Sequence, residues 1–153
     1  MNEPTRHTVG ICDVRFGERV KLVEPVNLYS CTLADDVFIG PFVEVQANVT
    51  IGRATRVQSH TFICEHVTIG EACFIGHGVM FANDLFKEGS PDPDSSHWGR
   101  TIIEDEVSIG SNATILPVRI CRGAVIGAGA VVTRDIEIPG TYAGNPARLL
   151  RTF

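Results

Sequence analysis

The chain lacks most features that announce a common mechanism. Its five cysteines (Cys12, Cys31, Cys64, Cys73, Cys121) form no CxxC pair and are odd in number. That leaves no zinc ribbon and no closed disulfide framework, so they read as buried or free thiols. No apolar run nears the roughly 18 residues that cross a bilayer. The opening "MNEPTRHTVG" has no basic-then-apolar leader pattern, so a cytoplasmic protein is expected. Basic residues number 13 against 18 acidic ones, a net charge of -5, which argues against nucleic-acid or anionic-membrane partners. Neither GxxxxGK[ST] nor a GxGxxG between strand and helix occurs. Also missing are strand alternation and regular turn signals at the spacing of a β-sandwich.

What is present is a period of six. Leu33, Ile39, Val45, Ile51, Val57, Ile63, Ile69, Ile75 and Phe81 fall on one frame. Four residues after each of the first eight comes a small or β-branched residue: Val37, Val43, Val49, Thr55, Thr61, Val67, Cys73 and Val79. Gly often follows the aliphatic residue, where either positive φ or close backbone approach is cheap for it. Neither an amphipathic helix nor a lone strand has this period. A six-residue unit makes one short strand plus one corner, and three units close a triangular coil of 18 residues. Such coils stack about 4.8 Å apart as a parallel β-helix. The 153 residues then form a single all-β domain: an irregular capping coil at 1–26, an inserted loop at 83–102 and a tail at 138–153. The opening coil offers Val14, Val20 and Val26 six apart. After the loop the frame resumes at Ile103 and Ile109. It slips by one residue in "ILPVRI", where a local bulge without chemistry is expected, and runs on through Ile120, Ile126 and Val132.

Stacked coils turn sequence spacing into columns. Ala47, Glu65 and Asn83 fall in one column; Asn48, His66 and Asp84 fall in the next; Ser59 and His77 share another face. Glu65, His66, Asn83 and Asp84 are therefore expected within about two strand spacings of each other. Carboxylates and an amide so gathered suit a reaction in which an amine must lose a proton and be held in line. The frame breaks just there, in "NDLFKEGSPDPDSSHWGRT". A loop of that length in a compact domain is usually functional or disordered. Its His97 and Trp98 either wall a cleft or simply pin the loop.

Units such as "IGEACF", "IGHGVM" and "IGAGAV", with the ending "VIGAGAVVTRDIEIPGTYAGNPARLL", resemble the hexapeptide-repeat acyltransferases. The resemblance covers residues 27 to 150 and implies a left-handed parallel β-helix, a homotrimer with sites between subunits, and acetyl-coenzyme A as co-substrate without a metal. The stretch "SHTFICEHVTIGEACFIGHGVMFANDLF" is similar to a narrower group that N-acetylates amino sugars carried on UDP or dTDP, in bacterial surface-polysaccharide (lipopolysaccharide) synthesis. That implies Asn83 and Asp84 at the sugar amine with Glu65 beside them. From their places in the columns and the loop, His60, His77, His97 and Trp98 are further substrate-binding candidates. The coenzyme would run past Gly110, Ser111, Gly127, Ala128 and Gly129, with Arg134, Arg148 and Arg151 for its phosphates. Transfer to a hydroxyl stays open and would promote His66 or His77 as base. A trimerisation module without catalysis stays open too. A zinc enzyme similar to γ-class carbonic anhydrases would need a histidine five residues after His97, where Ile102 stands.

Overall fold

The computed structural model describes residues 3–6 and 8–153; Met1, Asn2 and His7, in the opening segment, lie outside the described residues. The backbone winds as a three-sided parallel β-helix, consistent with the left-handed β-helix that the resemblance implies. Face A stacks seven strands, from Ile11–Cys12 to Val131–Val132. Face B stacks six, from Arg15–Phe16 to Arg119–Ile120. Face C holds eight, from Lys21–Leu22 through Gly140–Ala143, closed by Arg148–Thr152 running antiparallel across its last edge. That closing strand covers an edge that would otherwise offer unpaired backbone groups to another chain.

Register follows the six-residue frame. Leu33 pairs with Ile51, Ile39 with Val57, and Ile63 with Val45. After the loop Ile103 pairs with Ile120 and Ile109 with Ile126, a 17-residue coil that absorbs the slip in "ILPVRI". The frame residues from Leu28 to Val132 form one continuous buried column inside the prism. The second-place residues Val37, Val43, Val49, Val67 and Val79 line it at the corners. Thr55 and Thr61 are buried there because their hydroxyls donate to the carbonyls of Gly70 and Gly76, at 2.8 and 2.9 Å.

The corners show what the glycines are for. In the regular coils from Val45 to Ile75 the residue three places after each inward aliphatic has positive φ: Asn48 59°, Ala54 59°, His60 63°, His66 66°, Ala72 52°, Gly78 66°. The glycines directly after the aliphatic residues do not carry the turn; they permit close approach. A Cβ on Gly76 would lie 2.7 Å from both the carbonyl oxygen of Ile109 and the amide of Ser111.

The opening coil departs from the expected frame. Phe16 pairs with Leu33, Leu22 with Ile39 and Leu28 with Val45, each 17 residues on. Val14, Val20 and Val26 thus hold the second, corner-side place, and Ile11, Phe16, Leu22 and Leu28 the inward one. Ile11 and Phe16 remain about half exposed because, among the described residues, no strand pairs beneath theirs.

Candidate active site

Chain direction defines three corners: A/B, where face A turns into face B, then B/C and C/A. The residues expected to work together lie at the A/B corner. Glu65 and Asn83 are on adjacent rungs, and the Asn83 side-chain amide donates to the Glu65 carbonyl at 3.4 Å. His66 follows Glu65 in the turn. Its Nε2 lies 3.2 Å from the Ser95 carbonyl and 4.0 Å from a Glu65 carboxylate oxygen. Both side chains are largely shielded, 15% exposed for His66 and 25% for Glu65. With Nε2 donating to Ser95, Nδ1 is the basic nitrogen of the His66 ring.

Asp84 begins the loop and anchors it. One carboxylate oxygen accepts from the Phe86 amide at 2.9 Å and the other from the Asp92 amide at 2.7 Å. The loop returns to its root where the Gly99 amide donates to the Asn83 carbonyl at 2.7 Å. Inside it, a short 3-10 turn (Ser95–His97) is capped by Asp94, and the Trp98 indole N–H donates to the Asp92 carbonyl at 3.0 Å. Trp98 therefore pins the loop. His97 pairs with Asp92 at 3.1 Å and faces a cavity of about 450 Å³ lined also by Asn83, Asp84, Lys87 and Pro117. The shortened "ILPVRI" corner is thus part of the surroundings of the site: Pro117 packs where Gly99 must lack a side chain, since a Cβ there would approach it to 2.4 Å. The expected bulge without chemistry is a cavity wall.

His60 and His77 lie elsewhere, on the C/A corner. His77 Nδ1 and the Ser59 hydroxyl are 2.8 Å apart, as their shared column implies. His60 stacks on Phe42 with ring centroids 4.9 Å apart. Above them rise Ser111, then Ala128, beside Gly110, Gly127 and Gly129. Among the described residues the amides of His77, Ser111 and Ala128 find no acceptor in the chain. A Cβ on Gly110 would sit 2.5 Å from the Ala128 amide, so this ladder keeps its backbone bare by necessity. Exposed amides and small side chains fit an amide-rich extended arm such as pantetheine. Of the three arginines, Arg134 and Arg148 share a cavity of about 250 Å³ at the C-terminal end, and Arg151 lies over Phe153. They are not on the glycine ladder itself.

Sequence columns missed the polar cluster below Glu65 on face A. The Glu44 carboxylate accepts from Asn27 at 3.1 Å and from Gln46 at 3.0 Å. Burial, then the charges of Glu44 and Glu65, push the Tyr29 phenol above its usual range. Continuing the Glu65 column downward by 17 or 18 residues would have found this neighbourhood. Burial also raises the thiols of Cys31, to about 11, and Cys64, to about 12; both are free. His60 and His97, the pair a zinc reading would use, are on separate corners. Among the described residues no group of three or more His, Cys, Asp or Glu is placed to hold a metal ion. No described helix is long and apolar enough to cross a membrane.

Comparison with known proteins agrees with this architecture. The family model for the hexapeptide repeat of succinyl-transferase matches residues 100–134. The bifunctional protein GlmU of Neisseria meningitidis is 38% identical over 106 residues, covering 69% of this chain and 21% of GlmU. The chain thus spans about a fifth of that relative's length. Among solved structures, AntD, an N-acyltransferase from Bacillus cereus in complex with dTDP and coenzyme A, superposes with a TM-score of 0.80 at 20% identity, covering 94% of this chain and 84% of AntD. Perosamine N-acetyltransferase from Caulobacter crescentus, in complex with coenzyme A and GDP-perosamine, superposes at 0.64 and 20% identity, covering 91% of this chain and 54% of that one. At such identities the two structures speak for the fold. Repeat, winding and the family-model match over residues 100–134 together identify the chain as a hexapeptide-repeat β-helix.

Proposed function

We propose that the protein transfers an acetyl group from acetyl-coenzyme A to the amino group of a nucleotide-linked amino sugar. The observation that carries this is the Glu65–Asn83 pair on adjacent rungs, Glu65 shielded and Asn83 lining a cavity, on a prism whose C/A corner is a bare-backbone ladder. A substrate amine arrives as ammonium and must lose a proton before attack. Glu65, one rung below Asn83, is the acceptor we assign, while the Asn83 amide holds the nitrogen in line. An unpaired backbone N–H of the ladder, that of His77 or Ser111, supplies a donor for the carbonyl oxygen as charge grows on it.

These two halves lie on different corners, with face A between them. One chain alone does not bring a thioester on the C/A corner to an amine at the A/B corner. A second copy, its C/A corner set against the A/B corner of the first, does. We therefore assign a closed homotrimer with three sites between subunits, in which the half-exposed Phe42, Phe74 and Met80 around the C/A corner become covered. AntD and perosamine N-acetyltransferase, of like fold, supply the acceptor class, and bacterial surface-polysaccharide synthesis in the cytoplasm is the setting we assign.

A screen of UDP-, dTDP- and GDP-linked amino sugars with acetyl-coenzyme A, following free thiol release, tests the reading. Thiol release with at least one amine is expected; release only with hydroxyl acceptors would overturn it. The second reading, transfer to a hydroxyl, is favoured by the shielded His66 with its basic Nδ1. Glu65→Gln abolishing transfer while His66→Ala leaves it supports the amine; the reverse supports the hydroxyl.

A further inference from the structure

The A/B corner does not end at Glu65. Beneath it the same corner continues through Asn48 and Ser30 to Asp13, one rung at a time; the Asn48 amide donates to the Ser30 carbonyl at 3.0 Å. There a second cavity of about 450 Å³ wraps from the corner onto face B, lined by Asp13, Arg15, Ser30, Thr32, Asn48 and Thr50. Two to four rungs separate it from Asn83, roughly 10–19 Å at the spacing of stacked strands.

Arg15 is the cation of this cavity, and it is unspent. Of the other arginines between residues 9 and 82, Arg19 is paired with Glu18 and Asp36, Arg53 with Glu71, and Arg56 lies 4.5 Å over the Phe38 ring. Among the described residues Arg15 has no acidic partner, although Asp13 lines the same cavity. The Asp13 carboxylate accepts from the Ser30 hydroxyl at 3.3 Å. A bare phosphate would meet both signs of charge here. A ribose–phosphate junction fits both: the guanidinium takes a phosphate oxygen, and the carboxylate accepts from a sugar hydroxyl. Thr32, Thr50 and Asn48 add neutral donors around them.

We infer that the cavity around Arg15 and Asp13 is the subsite for the nucleotide end of the acceptor, which lies along the A/B corner with its amino sugar at Asn83 and its nucleoside toward the first coil. This rests on the proposed transferase reading, and it says which part of the chain reads the nucleotide. Arg15 is distant from the reacting atoms and acts only by holding the acceptor.

The test begins with titration calorimetry of the intact protein with UDP, dTDP and GDP, without acetyl-coenzyme A. Binding of at least one, weakened about 10- to 100-fold in Arg15→Ala as expected for a lost charge-assisted hydrogen bond, is the expected result. Asp13→Asn should weaken the nucleoside diphosphate more than inorganic pyrophosphate. In turnover, Arg15→Ala should raise KM for the nucleotide-linked amine by a like factor, leaving kcat and the KM for acetyl-coenzyme A within about twofold. No binding of any nucleoside diphosphate by the wild type, or equal binding by Arg15→Ala with an unchanged circular dichroism spectrum, overturns the inference. Arg15-dependent binding without transfer to any amine would keep the subsite and remove the amine reading instead.

Discussion

The B/C and C/A corners share one backbone conformation and differ in what becomes of one amide. Two residues past each inward aliphatic, the corner N–H points away from the ladder. At the B/C corner three of the six are capped: Glu18 and Glu71 donate to the carboxylates of Asp35 and Asp105, both at 2.8 Å, and Arg122 to Glu104 at 2.9 Å, while among the described residues the amides of Asp35, Arg53 and Asp105 have no acceptor in the chain. Arg19, Arg53 and Arg122 add ion pairs there with Asp36, Glu71 and Glu106. At the C/A corner no side chain caps the corresponding amides: among the described residues those of Ser59, His77, Ser111 and Ala128 have no acceptor. A capped amide is inert surface, and an unbroken run of uncapped ones is a row of donors open to a ligand. The A/B corner adds what neither other corner has, an acid and an amide on adjacent rungs. In a fold whose backbone repeats, side chains at corners decide where chemistry occurs.

The sharpest way to break this comparison is to delete one amide side chain from each of two corners. Asn83→Ala should lower kcat/KM about 100-fold through lost alignment of the acceptor. Its folding stability should scarcely change, since the side chain makes only the 3.4 Å contact to Glu65. Asn112→Ala, the turn residue of the C/A corner, should leave kcat/KM within about threefold. Steady-state kinetics with thermal melts of both variants decide; equal losses would mean that the A/B corner is not special.

The bare ladder gives the next effect. Gly110→Ala places a Cβ 2.5 Å from the Ala128 amide, so backbone must shift, at a cost of about 1–3 kcal/mol. Acetyl-coenzyme A affinity should fall with it. Gly123→Ala at the B/C corner has open space around the new Cβ but φ of +71°, so only the left-handed strain of about 1–2 kcal/mol is expected, with coenzyme affinity intact. Denaturant melts with calorimetric titration of acetyl-coenzyme A separate the two. Unchanged coenzyme binding in Gly110→Ala would remove the ladder from the site.

Some of this was open to reading in the residue order. The period from Leu33 to Phe81 is the core itself, because every sixth side chain must fill the prism. Columns followed from coils of 18, and the Ser59–His77 bond and the Asn83–Glu65 contact are their direct result. The opening coil misled because its inward residues are not covered: Phe16 and Ile11 need not fit a tight interior, so the valines at the corner places gave the cleaner pattern. The loop was legible as an interruption only. That Asp84 takes two amide hydrogens, and that His66 meets the Ser95 carbonyl, depend on aperiodic backbone that no spacing encodes. Which corner amides are capped was also hidden, since Asp105 reaches Glu71 across the insertion, 34 residues on.

Capping itself can be removed. Asp105→Ala leaves the Glu71 amide without its carboxylate acceptor and should cost about 1 kcal/mol, close to the net worth of one hydrogen bond. Water reaches this exposed corner, so the full penalty of a buried unpaired amide does not apply. Acetyl transfer should stay at the wild-type rate, because the B/C corner carries no part of the site. A urea melt alongside the kinetics checks both halves; lost activity at retained stability would contradict the division of labour between corners.

The smallest effect tests the shared conformation from which the comparison starts. Ala54 and Ala72 occupy the turn place of the B/C corner at φ of 59° and 52°, where an L side chain costs about 1–2 kcal/mol. Glycine relieves that strain but gives the unfolded chain more freedom, a loss of about 0.4–1 kcal/mol. The two terms oppose, and the strain is the larger. Ala54→Gly should therefore stabilise the protein by under about 1 kcal/mol, where glycine in a right-handed or extended segment would destabilise it by a similar amount. The sign of the change in a denaturant melt is the readout. Destabilisation by Ala54→Gly would mean that the corner is not left-handed in solution, and the equivalence of the three corners would fail with it.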